Sequence, residues 1–224
     1  MESINAIFEQ FSSMTPEQAA AHDAEIEKRE AAEREREKVK RYHESGAPER
    51  YWAESLDTYN IKNDMQKTAA AAAVNFLHAV KAGDFKTLVF IGTAGTGKTH
   101  LACAIIREAG GLYRSAPDIV EEFRRAKSFS SRDTESDLIY KYGHCRLLVI
   151  DEIGRGINAT DEKYMLYQLL NARYNTRRPS VLISNHNKAD FLNYIGIAAA
   201  DRLLESGAIL EMNGDSYRRE LRGK

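Results

Sequence analysis

Between Thr87 and Leu101 the chain reads Thr-Leu-Val-Phe-Ile, then Gly-Thr-Ala-Gly-Thr-Gly-Lys-Thr, then His-Leu. The unbroken apolar run Leu88 to Ile91 suits a strand covered on both faces of a parallel sheet. Gly92, Thr93, Ala94, Gly95, Thr96, Gly97, Lys98 and Thr99 fit G-x-x-x-x-G-K-[ST], the Walker A pattern. Glycines at those positions let the chain curl until successive backbone N–H groups point inward at phosphate oxygens. The helix that follows adds partial positive charge at its N-terminus. The expected binding set for the nucleotide therefore runs from Gly92 to His100, with Lys98 reaching the β- and γ-phosphates and Thr99 holding Mg²⁺. An accidental glycine-rich turn is disfavoured by the strand before the loop and the helix start after it.

A second signal lies downstream. Leu147, Leu148, Val149 and Ile150 are followed directly by Asp151 and Glu152, so a buried strand ends by presenting acid at its carboxyl edge, where open α/β sheets bind their ligands. Asp151 takes the Walker B position, ordering Mg²⁺ through water, and Glu152 is placed to polarise an attacking water. Ser180 to Ser184 is a further apolar strand tipped by Asn185, whose amide could meet that water or the γ-phosphate; taken alone, an Asn there is more often a turn former.

The chain's 224 residues allow one α/β domain plus an appendage. Charged residues make up 29% of it but nearly cancel to a formal charge of -1, so any nucleic-acid contact has to be local. Cys103 and Cys145 have no metal-ligand spacing and read as buried thiols of a reducing compartment. No apolar run approaches a membrane span and the N-terminus lacks a signal-peptide core, so a soluble, cytoplasmic chain with no membrane partner is expected.

Residues 1–47 are expected to form a helical arm. Ile4, Ile7, Phe8 and Phe11 share one helix face, which folds back on the main domain, frays as a free end, or docks a partner. Thr15-Pro16-Glu17-Gln18 starts a helix with a cap, a proline in the first turn and a capping-box glutamine. From there to Glu44 the chain is alanine and mixed charge, with Glu30 and Arg34 among its i, i+4 pairs. Ser45-Gly46-Ala47-Pro48 breaks the helix and sets the boundary of a main domain spanning 48–224.

Within that domain, Trp52 packs on the core, while Tyr59 and its neighbours are the alternative wall of an adenine pocket. Asn63 to Lys81 is a helix ended by Gly83. Leu112-Tyr113-Arg114 is a candidate strand. Asp118 to Phe129 is a helix bearing Arg124, Arg125 and Lys127, compatible either with a nucleic-acid backbone or with a plain solvated face. Thr160 to Tyr174 is a helix with Asp161 and Glu162 favoring its dipole and Tyr164, Leu166, Tyr167, Leu169 and Leu170 turned inward.

Taken in order, Gly92–Thr99, Leu147–Glu152, Arg173-Tyr174, Ser184-Asn185, Asp201-Arg202-Leu203 and Ser216-Tyr217-Arg218 resemble the DnaC-type replicative helicase loaders, AAA+ ATPases related to the IstB transposition ATPases. The resemblance runs from about Pro48 to the C-terminus. It implies a three-layer AAA+ domain with a parallel sheet, using ATP and Mg²⁺; because the chain stops soon after Arg218, no C-terminal helical lid is expected. It also implies that Asn185 takes the sensor 1 place, Arg202 that of an arginine finger supplied to a neighbouring subunit, and Arg218 the sensor 2 place. The basic helix, with Arg124, Arg125, Lys127 and Phe129, is similar to the insertion such loaders lay along single-stranded DNA. The implied activity is ATP-dependent loading of a hexameric replicative helicase by an ATP-dependent homo-oligomer; the resemblance does not extend to the N-terminal arm, and it is the apolar stripe of the arm that suggests it docks the helicase. The alternatives are a transposition ATPase that binds duplex DNA and a transposase, and a non-catalytic nucleotide-binding adaptor, against which Glu152 and Arg202 argue. One departure is Ala198-Ala199-Ala200, where such proteins often carry a further arginine.

Overall fold

The computed structural model describes residues 15–128 and 131–215 of the chain. It divides into two compact units that part between Lys40 and Arg41. The first unit holds most of helix α1 (Pro16–Glu44). Thr15 and Gln18 close the expected capping box, each side chain accepting from the other's backbone N–H, at 3.3 and 3.0 Å. The expected Glu30–Arg34 pair forms at 3.2 Å with both side chains exposed, and such a pair contributes a few tenths of a kcal/mol at most, about 0.3–0.5.

The second unit begins seven residues earlier than the boundary set at Pro48, because this stretch supplies core. Tyr42 is 1% exposed and donates its hydroxyl to the Tyr51 carbonyl at 2.8 Å, and Ala47 is buried in the same cluster. Trp52 packs on that cluster too, donating Nε1–H to the Ala47 carbonyl and stacking on His43.

Five strands make one parallel sheet: β1 (Thr87–Ile91), β2 (Leu112–Ser115), β3 (Leu148–Ile153), β4 (Ser180–Ser184) and β5 (Gly207–Glu211), in the spatial order β2-β3-β4-β1-β5. Residues of alternate parity face opposite layers. Leu88, Phe90, Tyr113, Val149, Val181 and Ile183 face α2 (Asp64–Ala82) and α3 (Lys98–Ala109), together with the connector around Tyr59. Val89, Ile91, Leu148, Ile150 and Leu182 face the other layer. That layer contains α4 (Ala116–Ala126), α5 (Glu135–His144), α6 (Ala159–Asn175), α7 (Lys188–Ile195) and α8 (Ile197–Ser206). Both faces of the sheet are covered, which is why β1, β3 and β4 read as continuous apolar runs.

The helix ends follow local chemistry. Asn63 caps α2 by accepting from the Gln66 N–H, and Gly83 closes it at φ 87°, in the left-handed region. Ser115 caps α4, which ends at Ala126, ahead of the expected Phe129. Tyr164 and Tyr167 are a correction to the expected inward face of α6: they are 45% and 43% exposed. Its buried side is Glu162, Met165, Leu166, Leu169 and Arg173. Arg173 is 1% exposed, and its guanidinium donates to Ser180 Oγ and to the carbonyls of Tyr142, Cys145 and Pro179, tying α6 to α5 and to the entry of β4.

Candidate nucleotide-binding site

The sheet order places β4 between β1 and β3, so the carboxyl ends of three neighbouring strands deliver Gly92, Asn185 and Asp151 to one edge. A cavity of about 790 Å³ opens there. Ala94 to His100, Asp151, Glu152, Arg155 and Asn185 line one part of it, and Arg50, Tyr51, Tyr59, Asn60 and Gln66 another.

The loop's conformation depends on glycine where the chain is crowded. Gly97 has φ +98°, and a Cβ there would meet the Tyr59 ring at 2.7 Å. Gly92 has φ +111°, and a Cβ would lie 2.5 Å from Asn213 Oδ1 and 2.7 Å from the Met212 carbonyl oxygen. Tyr59 donates to the Thr96 carbonyl at 3.3 Å, and burial pushes its phenol up to about 12, so it remains a donor. Thr96 Oγ1 donates to the Thr93 carbonyl at 3.0 Å, and Thr93 Oγ1 donates to that of Gly214 at 2.9 Å. Lys98, 5% exposed, donates Nζ–H to the carbonyls of Gly92 at 2.8 Å and Thr93 at 2.6 Å, placing its ammonium inside the curl of the loop.

Thr99 and Asp151 meet in the cavity: Thr99 Oγ1 donates to Asp151 Oδ2 at 2.8 Å. Tyr113 OH donates to the same oxygen at 2.6 Å, and the Glu152 N–H donates to Oδ1 at 2.6 Å. Burial first, and then the neighbouring Asp151 charge, raise the Tyr113 phenol far above its ordinary range, so it too is held as a donor. A hydroxyl beside a carboxylate is a hard-oxygen pair suited to Mg²⁺, which binds through one or two such groups plus substrate phosphates rather than in a protein cage.

Glu152 sits at φ 60° where the β3–β4 register shifts between Ile150 and Ile153. The irregularity turns its carboxylate into the cavity, half exposed, with Arg155 Nη1 at 3.2 Å from Oε1. The turn beyond is clamped by Glu162, which is fully buried and accepts the N–H of Gly154 at 2.6 Å and of Gly156 at 3.0 Å. Asn185 projects from the end of β4 and lines the cavity. His100 lines it as well, but its ring is held by the connector, with Nε2 2.8 Å from the Ser55 carbonyl oxygen and Nδ1 3.4 Å from Glu54.

Other expected residues stand elsewhere. Arg202 lies on α8 outside the cavity lining, its guanidinium 5.6 Å above the Tyr174 ring and Nη1 buried without a hydrogen-bond partner. Arg124 pairs with Asp161 and Arg125 with Glu121, both at 3.2 Å, and Lys127 Nζ sits 5.6 Å over the Tyr164 ring. Arg218, Phe129 and the apolar stripe of Ile4, Ile7, Phe8 and Phe11 lie outside the described residues. The sequence reading missed Tyr113 as a partner of Asp151, and it missed Arg155 and Glu162. The first becomes visible only once the β2–β3 register pairs Tyr113 with Val149, whose face Asp151 shares.

A parallel sheet of this order, a Walker A loop after β1 and acids at the end of β3 define an AAA+ P-loop domain. The chain belongs to the family of IstB-like ATP binding proteins, which it matches over residues 1–224. It is 30% identical over 185 residues to the replicative helicase loader DnaC of Buchnera aphidicola subsp. Schizaphis graminum, covering 80% of this chain and 75% of the relative. In fold it is similar to the crystal structure of the DnaC helicase loader, with TM-score 0.65 and 22% identity over 74% of this chain and 99% of the other. It is also similar to a replication initiator DnaA solved with AMPPCP and single-stranded DNA, with TM-score 0.59 and 21% identity over 76% and 52% of the two chains. Among the described residues no helix is long and apolar enough to cross a membrane.

Proposed function

We propose that this chain hydrolyses ATP to control the loading of a replicative DNA helicase onto single-stranded DNA, acting in the cytoplasm. The observation that carries the loader reading is the 30% identity to a replicative helicase loader over 80% of the chain. The Thr99–Asp151 contact supports the ATP chemistry.

In this reading the loop amides from Ala94 to Thr99 and the Lys98 ammonium bind the β- and γ-phosphates. Lys98 exchanges its contacts with the Gly92 and Thr93 carbonyls for phosphate oxygens of greater charge. Thr99 and Asp151 would hold Mg²⁺, which supplies charge neutralisation on the phosphates. Glu152 accepts a proton from the attacking water and Asn185 orients that water or the γ-phosphate. Arg202 acts across a subunit interface on a neighbour's γ-phosphate, and Arg218 on the nucleotide bound by its own chain. ATP thereby couples homo-oligomer assembly to helicase capture, with residues 1–47 as the docking arm and the α4 cations at the DNA backbone.

The family's name favours one rival, a transposition ATPase that binds duplex DNA and a transposase. The deciding experiment captures partners on the immobilised full chain with ATP and Mg²⁺, offering a purified hexameric replicative helicase and a purified transposase in parallel. Helicase retention that depends on ATP supports the loader; retention of the transposase alone would overturn it. Nucleotide binding without turnover under any of these conditions would leave the non-catalytic adaptor.

A further inference from the structure

Tyr113 occupies a position that neither the phosphate loop nor the acidic strand end accounts for. It lies on β2, the edge strand of the sheet, paired in register with Val149. On the open side of that edge its N–H donates to the Ser45 carbonyl at 2.9 Å, so the backbone is held from both sides. Arg114 Nη1 donates to the same carbonyl at 2.9 Å, fixing the 45–47 segment against the strand. The Tyr113 side chain, 6% exposed, points into the layer shared with α3, where Asp151 also points because it follows Val149 by two residues. Its hydroxyl ends 2.6 Å from Asp151 Oδ2.

Asp151 is 4% exposed, and the donors named on it are neutral: Thr99 Oγ1 and Tyr113 OH on Oδ2, the Glu152 N–H on Oδ1. Thr99 is itself a candidate metal ligand, so its hydroxyl cannot be the fixed reference that aims the carboxylate. The Glu152 N–H belongs to a bulged segment. Tyr113 is the donor on a strand pinned along both edges, with its proton on the carboxylate whatever Thr99 does.

We propose that Tyr113 is a positioning residue for the metal-bearing carboxylate: it holds Asp151 at the angle needed to order Mg²⁺ beside the nucleotide, and it does so from a strand welded to the Ser45–Ala47 segment. The proposal rests on the ATP-binding reading of the cavity. Partners that orient a ligating group from behind typically set metal affinity by about 10–100-fold. Tyr113 contributes to the metal half of the site and not to the phosphate loop, so nucleotide affinity and metal affinity separate.

The test compares the full chain with Tyr113→Phe, which keeps the ring and its packing and removes the hydroxyl alone. Mn²⁺ binding to the protein with bound ADP is followed by electron paramagnetic resonance, and a fluorescent ATP analogue is titrated separately in EDTA. Tyr113→Phe is expected to weaken Mn²⁺ binding about tenfold or more while metal-free nucleotide affinity stays within about twofold and excess Mg²⁺ restores turnover. Unchanged Mn²⁺ affinity would overturn the proposal with the ATP site intact. So would parallel losses of metal affinity, metal-free nucleotide affinity and melting temperature, which would make Tyr113 a packing residue. If the parent chain itself shows no nucleotide-dependent Mn²⁺ binding, the reading of the cavity fails first and the role of Tyr113 with it.

Discussion

Thr99 Oγ1 lies 2.8 Å from Asp151 Oδ2 and donates to it, so the last residue of the phosphate loop and an acid at the end of β3 share one hydrogen bond. The contact joins the first turn of α3 to the end of β3, and it brings the two hard-oxygen groups a magnesium–phosphate complex would use to one point. Lys98 and Glu152 flank that point with opposite charge and different tasks.

Those tasks separate in mutants. Lys98→Ala removes the ammonium held against the Gly92 and Thr93 carbonyls and is expected to abolish ATP binding. Glu152→Gln keeps the backbone N–H that Asp151 Oδ1 accepts and loses the proton acceptor, so binding persists and turnover falls by about 10²–10⁴-fold. Nucleotide titration and steady-state phosphate release on both variants check this. Normal hydrolysis by Glu152→Gln would remove Glu152 from the mechanism.

Gly97→Ala tests the loop's dependence on its crowded neighbour. The position has φ +98°, and the new Cβ would lie 2.7 Å from the Tyr59 ring. Left-handed backbone costs a non-glycine residue about 1–2 kcal/mol before any clash. A lower melting temperature and a weakened ATP-analogue titration are expected, and melting and binding curves that superimpose on the parent's would contradict the placement of Tyr59.

Glu162 is a buried acid whose two oxygens accept the N–H groups on either side of Arg155, and the nearby Tyr194 phenol is pushed up to about 12, mainly by burial and then by the Glu162 charge. Glu162→Gln puts an amide donor against one of those donors. Leaving a buried group unpaired costs about 1–3 kcal/mol. Thermal melting should register that loss, and turnover should fall further than nucleotide affinity, because Arg155 and Glu152 ride on the clamped turn. An unchanged melting temperature would mean the turn is held by something else.

The parts of the fold that were legible are those where one sequence signal suffices. β1, β3 and β4 are apolar runs because both sheet faces are covered, and the phosphate loop is written in glycines whose φ no other residue adopts cheaply. α5, α7, α8 and β5 went unread because each is short, ten, eight, ten and five residues, too few for a periodic pattern to stand out. A visible signal existed for α5, the Thr134 capping box with Asp137. Tyr164 and Tyr167 were placed inward because the α6 apolar residues spread around the helix, and only packing on α5 and the sheet decides which side is buried. Glu162 read as a first-turn acid that suits the dipole; its burial depends on a turn folding back over it, which no local pattern reports. The contact between Tyr113 and Asp151 needed the β2–β3 register.

Cys103 is buried in α3, and burial, with the Asp151 charge behind it, pushes its thiol from 9.0 up to about 12. The folded chain therefore keeps a proton that the unfolded chain releases above its ordinary value. The stabilisation is fully present below pH 9.0 and is lost as pH rises toward about 12. Chemical denaturation at a series of alkaline pH values should show stability falling through that window, less so in Cys103→Ala once its own baseline is subtracted. At pH 8 an alkylating reagent should modify Cys103 only as fast as the chain unfolds; rapid labelling of the native chain would contradict its burial.

Arg202 is the residue whose own chain gives it no phosphate to touch. It lies outside the cavity lining, its guanidinium rests 5.6 Å over the Tyr174 ring, and its Nη1 is buried without a hydrogen-bond partner. A cation over an aromatic face contributes about 0.5–1 kcal/mol at a partly exposed site, so Arg202→Ala should barely move the melting temperature or the affinity for ATP. An arginine supplied across an interface accounts for about 10³-fold or more in related NTPases, so turnover should fall on that scale. The decisive measurement mixes two inactive chains. Arg202→Ala retains a complete phosphate loop and Lys98→Ala retains the arginine, so an interface that pairs the first chain's loop with the second chain's arginine regains activity. Phosphate release by the mixture above the sum of the separate variants, rising with total protein concentration, is the expected result. A mixture no more active than its parts, with Arg202→Ala hydrolysing ATP at the parent rate, would place Arg202 outside the reaction and leave it as the partner of Tyr174 alone.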